Sequence, residues 1–208
     1  MVTITSVSPF RSLLCVHLDN GKDLYLTKAA WQRSGFTEGD MLEEEALKEF
    51  VQLVQYRPAL HYAVSLLARR SYSKAEIRHK LTDRKYLSDV TDLVLCKLEK
   101  EKLLDDREFC SQWISYRLSC NYGSQRIIRE LKQKGVPENI IREELETLDP
   151  SSESQQAFQL ALKAWSRIKP GESLWKARQK VCASLVRKGF SWETVKNACE
   201  QAQQSFGK

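Results

Sequence analysis

The residues of this 208-residue chain best suited to covalent or metal chemistry are six cysteines and three histidines. Cys15, Cys96, Cys110, Cys120, Cys182 and Cys199 never form a CxxC pair, and His17, His61 and His79 are scattered without zinc-like spacing. Metal centres and disulfide frameworks need such clusters, and nucleophilic catalysis needs a motif that sets a base beside the nucleophile. The sequence shows neither. It therefore predicts no catalytic residue, no metal and no cofactor, with the cysteines reduced and packed as small apolar side chains. What remains is the chemistry of charge. Lys and Arg number 33 against 27 Asp and Glu, a formal net charge of +6 with a pI near 9.0. Such a surplus favours acidic partners.

The surplus is placed, not spread. Arg69, Arg70, Lys74, Arg78, Lys80, Arg84 and Lys85 stand against only Glu76 and Asp83. Arg117, Arg126, Arg129, Lys132 and Lys134 face Glu130, and the segment from Lys163 to Lys188 carries eight cations against Glu172. Between the last two clusters, Glu138, Glu143, Glu144, Glu146 and Asp149 outnumber Arg142. Segregation of this kind gives a basic side suited to phosphates or to an acidic protein surface. An ordinary solvated face has the same composition. Trp113, Tyr116, Trp165, Trp175 and Trp192 fall within helical patterns and are read as core packing rather than as platforms for bases.

The elements that carry these clusters repeat. A shift of 50 residues superposes Ile77 on Ile127, Leu81 on Leu131, Tyr86 on Val136, Val90 on Ile140 and Leu95 on Leu145. A further shift of 54 carries Ile127 to Val181, Leu131 to Leu185, Gly135 to Gly189, Val136 to Phe190 and Leu145 to Cys199. Each copy reads as three short helices, with the cations on the middle one and the acids on the third. Ser73 with Glu76, and Asp105 with Glu108, have capping-box spacing, while Gly135 and Gly189 sit where helices need a left-handed stop. Asp149-Pro150-Ser151-Ser152 reads as a linker. Helices this short must bury their stripes against neighbours, and stacked copies predict an elongated, curved body.

The start of the chain differs. Leu14, Val16 and Leu18 alternate along one run and Leu24 and Leu26 along another, with Asp19-Asn20-Gly21 between them. A two-residue turn would put the leucines of the second run on the opposite face. A three-residue loop pairs Leu18 with Lys22, Val16 with Leu24 and Leu14 with Leu26, gathering the apolar side chains together, and is preferred. Val2 and Ile4 to Val7 extend as a third strand. A helix from Lys28 to Ser34 follows, capped by Thr27 and stopped at Gly35, then an acidic helix from about Glu43 to Gln55 that ends before Pro58. The expectation is thus a mainly α chain: a β-hairpin-plus-helix segment over 1–57, then three-helix repeats over 58–104, 105–149 and 150–208. No run approaches the roughly 20 apolar residues of a membrane span. The N-terminus lacks the pattern of a secretion signal, which predicts a cytoplasmic protein.

Leu66-Leu67-Ala68-Arg69-Arg70-Ser71-Tyr72-Ser73, with Glu76-Ile77 and Lys80-Leu81, resembles the opening motif of the RecX family of recombination regulators. Leu104-Asp105-Asp106, Phe109, Trp113-Ile114, Arg117, Gly123, Arg126-Ile127, Glu130-Leu131 and Lys134-Gly135-Val136 resemble its central motif. In the third repeat the likeness rests on Leu185 and Lys188-Gly189-Phe190. The first 55 or so residues lie outside the shared core and look like the N-terminal extension of longer members. The resemblance implies a non-enzymatic modulator that binds the RecA filament on single-stranded DNA, lies along its groove and restrains its recombinase, ATPase and co-protease activities. Monomer is the expected state. Candidates for the contact with RecA or DNA are Arg69, Arg70, Arg78, Arg84, Lys85, Arg117, Arg126, Arg129, Lys132 and Lys134. From the basic helices alone, the competing expectation is a stand-alone DNA-binding protein.

Overall fold

The structure, a computed structural model, describes residues 1–169 and 171–206, with the backbone alone at residue 150. It opens with strands β1 (Val2–Phe10), β2 (Leu13–Leu18) and β3 (Asp23–Leu26), helix α1 (Lys28–Ser34) and the short β4 (Met41–Leu42). The sheet order is β3-β2-β1-β4, antiparallel throughout. Leu14 pairs with Leu26 and Val16 with Leu24, and the Leu18 amide donates to the Lys22 carbonyl at 3.0 Å, the register of the three-residue loop. One apolar face results: Ile4, Val16, Leu18, Leu24, Leu26 and Leu42 pack with Phe50 and Val54. The segment is more than a hairpin, because β1 lies inside the sheet and β4 closes its far side. Two residues of β4 are too few to show a strand period in the sequence.

Thr27 caps α1 and Gly35 ends it in the left-handed region. Helix α2 (Glu44–Val51), however, does not stop before Pro58. A π-helical segment, Gln52–Tyr56, leads directly into α3 (Arg57–Leu67) with helical backbone at every junction. Proline lacks the N–H that an α-turn would use, and its ring crowds the carbonyl four residues back. A wider π-turn relieves that crowding without ending the helix.

Repeat 1 consists of α3, α4 (Lys74–Asp83) and α5 (Ser88–Lys100), repeat 2 of α6 (Asp106–Ser119), α7 (Ser124–Gln133) and α8 (Glu138–Glu146), and repeat 3 of α9 (Pro150–Trp165), α10 (Leu174–Lys188) and α11 (Trp192–Phe206). The Ser73/Glu76 capping box is present at the start of α4. Ile77, Leu81, Ile127, Leu131, Val181 and Leu185 are buried on the middle helices as the repeat requires. The third-helix core position common to the repeats lies one residue later than the alignment of Val90 with Ile140 puts it. Ile140 is only half-buried, and Ile141 takes the core position, with Thr91 and Val195 as its counterparts. The stretch read as a linker is the start of α9 instead, where the Asp149 carboxylate accepts from the Ser151 amide at 2.9 Å and from its hydroxyl at 2.6 Å. An Asp-Pro-Ser-Ser sequence serves a turn or a helix N-terminus equally well, and the apolar periodicity that follows selects the helix.

Contacts divide the chain into two compact units, the first ending in sequence at Asp105 and the second beginning at Asp106. In the first, Gln55 is fully buried and joins the sheet to repeat 1: its amide nitrogen donates to the Tyr25 carbonyl, and its oxygen accepts from the Leu87 amide at 3.2 Å. In the second, repeats 2 and 3 meet backbone to backbone. The Gly123 amide donates to the Lys188 carbonyl and the Gln125 amide to the Gly189 carbonyl, each at 3.0 Å. Gly123 precedes α7 and has no side chain with which to cap it. Glu153 of α9 does so from outside, accepting from the Ser124 amide and hydroxyl, both at 3.0 Å. A carboxylate at a helix N-terminus also meets the positive end of the dipole.

Candidate functional site

The ten candidate cations separate by how firmly each is held. Arg70 lies 3.5 Å above the Tyr72 ring and donates to the Ser71 carbonyl at 2.8 Å and to Glu76 at 3.3 Å. Arg78 pairs with Asp92 of α5 at 2.6 Å, and Lys132 with Glu138 at 2.8 Å. Arg70 thus ties the loop before α4 to that helix, while Arg78 links α4 to α5 and Lys132 links α7 to α8. The Arg84 guanidinium carbon lies over the Tyr62 ring, 3.6 Å from its centre. Arg69, Arg84, Lys85 and Arg129 are exposed, and among the described residues none has an acidic partner. Arg129 donates to the Gln125 carbonyl one turn back, at 3.2 Å. An exposed cation without a carboxylate keeps its full charge for an incoming anion.

In repeat 2 the cations form a cluster with aromatic rings. Arg126 Nε donates to Glu130 at 2.9 Å, and that bond raises the Arg126 pKa above its ordinary value. Arg117 Nε lies 2.6 Å from the other Glu130 oxygen without aiming its N–H at it, so charge rather than a hydrogen bond holds that pair. Tyr122 is flanked by Arg126 at 3.9 Å, Lys188 at 5.4 Å and Arg117 at 5.5 Å. Lys134 stands 4.2 Å from the Trp113 ring, and Arg117 4.6 Å from it. Glu130 is thus shared between Arg117 and Arg126. Arginine planes stacked on rings are fixed in orientation, which suits them to phosphate or carboxylate oxygens.

Lys188 is a member that sequence reasoning did not nominate. Its place in the Lys188-Gly189 helix end was visible, but its approach to Tyr122 depends on the junction of repeats 2 and 3. The aromatic reading also needs correction. Trp165 is buried, but Tyr116, Trp175 and Trp192 are 57, 67 and 70% exposed. Tyr116 lies on the solvent side of α6, while Trp175 and Trp192 open their helices, where fewer neighbours cover them. Exposed rings beside cations are able to stack on bases.

Potential metal ligands converge at one place among the described residues, the face of the sheet away from its core, where donor atoms of Cys15, His17 and Asp23 lie within 4.8 Å. Scattered histidines in the sequence gave no sign of this, because the three residues meet through strand pairing. His17 Nδ1 is 2.7 Å from Asp23 and its Nε2 is 3.1 Å from the Ser8 hydroxyl. Both ring nitrogens are thus satisfied by protein partners. Among the described residues no helix is long and apolar enough to cross a membrane.

Comparison with known proteins gives a consistent result. Residues 59–98, 105–145 and 152–199 match the first, second and third three-helix domains of RecX. Regulatory protein RecX of Streptococcus sanguinis is 26% identical over 201 residues, 96% of this chain and 77% of the relative. That of Clostridium botulinum is 25% identical over 188 residues, covering 90% and 88%. A crystal structure of regulatory protein RecX shares the fold with a TM-score of 0.64 at 22% identity, over 94% of this chain and 98% of its own. RecX from Lactobacillus salivarius gives 0.66 at 20% identity over 72% of this chain. With all three domains present in order, the chain belongs to the RecX family of regulatory proteins.

Proposed function

We propose that this protein acts in the cytoplasm, as a monomer, on homologous recombination and DNA repair. It binds the RecA filament on single-stranded DNA and restrains the filament's recombinase, ATPase and co-protease activities. The observation that carries this reading is the succession of three RecX domains over residues 59–199. The open cations Arg69, Arg84, Lys85 and Arg129, with the cluster around Tyr122, supply contacts for acidic side chains of RecA or for DNA phosphates. Several weak contacts on one chain add as avidity rather than as one strong site. The test is to add the protein to RecA on single-stranded DNA and follow ATP hydrolysis and filament length. A dose-dependent fall in both is expected, weakened by R69E, K85E and R129E together. Unchanged hydrolysis and length at equal stoichiometry would end this reading.

The exposed Tyr116, Trp175 and Trp192 favour a second reading, a stand-alone DNA-binding protein. It requires tight, salt-sensitive binding to single-stranded DNA without RecA, with the slope against salt reduced by about one for each phosphate-contacting cation reversed.

A further inference from the structure

We propose that Cys182 and Cys199 form an oxidisable dithiol, a covalent modification site that closes into a disulfide and locks α10 to α11. The Cys182 thiol donates to the Cys199 sulfur with the two sulfurs 2.7 Å apart. That separation is within about 0.7 Å of the covalent S–S length of about 2.05 Å. Cys199 belongs to the buried core cluster of repeat 3, Cys182 packs against it from its edge, and both thiols are free. One turn along α10, Arg178 pairs with Glu200 of α11 at 2.9 Å, so a second bond of different chemistry fixes the same register. The sulfurs are brought together by the packing of α10 against α11 in the repeat.

The two cysteines are unequal, and the difference assigns their roles. Cys199 is fully buried, and burial pushes its thiol pKa well up, which keeps it protonated. Cys182 is half-buried and is the one a small oxidant reaches. With hydrogen peroxide as the two-electron oxidant, the Cys182 sulfur attacks one peroxide oxygen and the O–O bond breaks. Cys182 becomes a sulfenic acid, and the departing hydroxide takes the thiol proton as water. The Cys199 sulfur then attacks the Cys182 sulfur, the S–O bond breaks, and hydroxide leaves with the Cys199 proton as a second water. One peroxide is reduced to two waters while two thiols are oxidised to one disulfide. Among the described residues no other two cysteine sulfurs are in hydrogen-bond contact, so Cys15, Cys96, Cys110 and Cys120 have no partner poised for the same closure within one chain.

The experiment treats the full-length protein, with the exposed thiol removed by C96S, with a few equivalents of hydrogen peroxide. Free thiols are then counted in denaturant and the peptides mapped without reduction. The expected result is loss of two thiols, one linked peptide pair joining Cys182 to Cys199, and a melting temperature higher by on the order of 5–10 °C. Dithiothreitol reverses all three, and C182S shows none of them. The proposal is overturned if Cys182 and Cys199 stay reduced, if they are oxidised to sulfinic acids without linking, or if linkage joins two different chains. The peptide map on the C96S protein decides the question even where C182S folds poorly.

Discussion

Lys85 holds a position that the other two repeats give to glycine. Its φ is 65°, against 72° at Gly135 and 88° at Gly189. A side chain in the left-handed region costs about 1 kcal/mol, because the Cβ crowds its own backbone. Strain at an exposed residue points to a use for the side chain, and Lys85 stands beside Arg84 without an acidic partner among the described residues. K85G is expected to raise the unfolding free energy of the first unit by about 0.5–1 kcal/mol in urea denaturation, the gain being partly offset by the freer unfolded chain. It is also expected to weaken inhibition of RecA. A glycine variant that is less stable would remove the argument from strain. At this scale the sequence shows which residues carry charge but not what each is paired with. Arg78 and Lys132 are tied to Asp92 and Glu138 by the way one helix crosses the next, which composition does not encode. Arg69, Arg84, Lys85 and Arg129 differ in that no described carboxylate folds back on them, which the sequence does not show either.

At the scale of elements, the junction between α7 and α10 sets how repeats 2 and 3 meet. A methyl group at Gly189 would stand 2.2 Å from the Arg126 Cβ, and one at Gly123 would stand 2.5 Å from the Gly189 carbonyl oxygen. Neither contact is possible without separating the helices. G189A therefore combines the left-handed penalty with a backbone displacement and is expected to cost more than about 3 kcal/mol. G35A supplies the control: its φ is 72° with nothing within 4 Å, so strain alone, about 1 kcal/mol, is expected. Urea unfolding of both variants checks the difference, and equal losses would mean that the α7–α10 approach yields at little cost. The sequence marked Gly189 as a helix stop, which is a local requirement that residue type reveals. It did not mark the close approach to Gly123, which joins positions 66 residues apart. The helix running through Pro58 was hidden for a related reason, since a proline reads as a break unless the π-turn before it is known.

At the scale of the molecule, the period in the sequence treats the three repeats as equals, whereas contacts group the sheet with repeat 1 and repeat 2 with repeat 3. Apolar spacing reports that a stripe is buried but not which neighbour buries it. Gln55 carries that information for the first unit, and a single glutamine gives no pattern to read. Each unit has two core clusters of its own, so residues 1–105 and 106–208 are expected to fold as separate fragments with cooperative melts. Circular dichroism tests this, and a fragment lacking a transition would show that its core depends on the other half. The same fragments test the proposed function. If the filament is held by weak contacts on both units, linkage raises the effective concentration of the second contact, and the intact chain gains on the order of 10²-fold over either half. An equimolar mixture of the two fragments should then restrain RecA's ATPase no better than the stronger fragment alone. Equal potency of one fragment and the whole chain would confine the contact surface to that fragment and leave the other unit a role apart from binding.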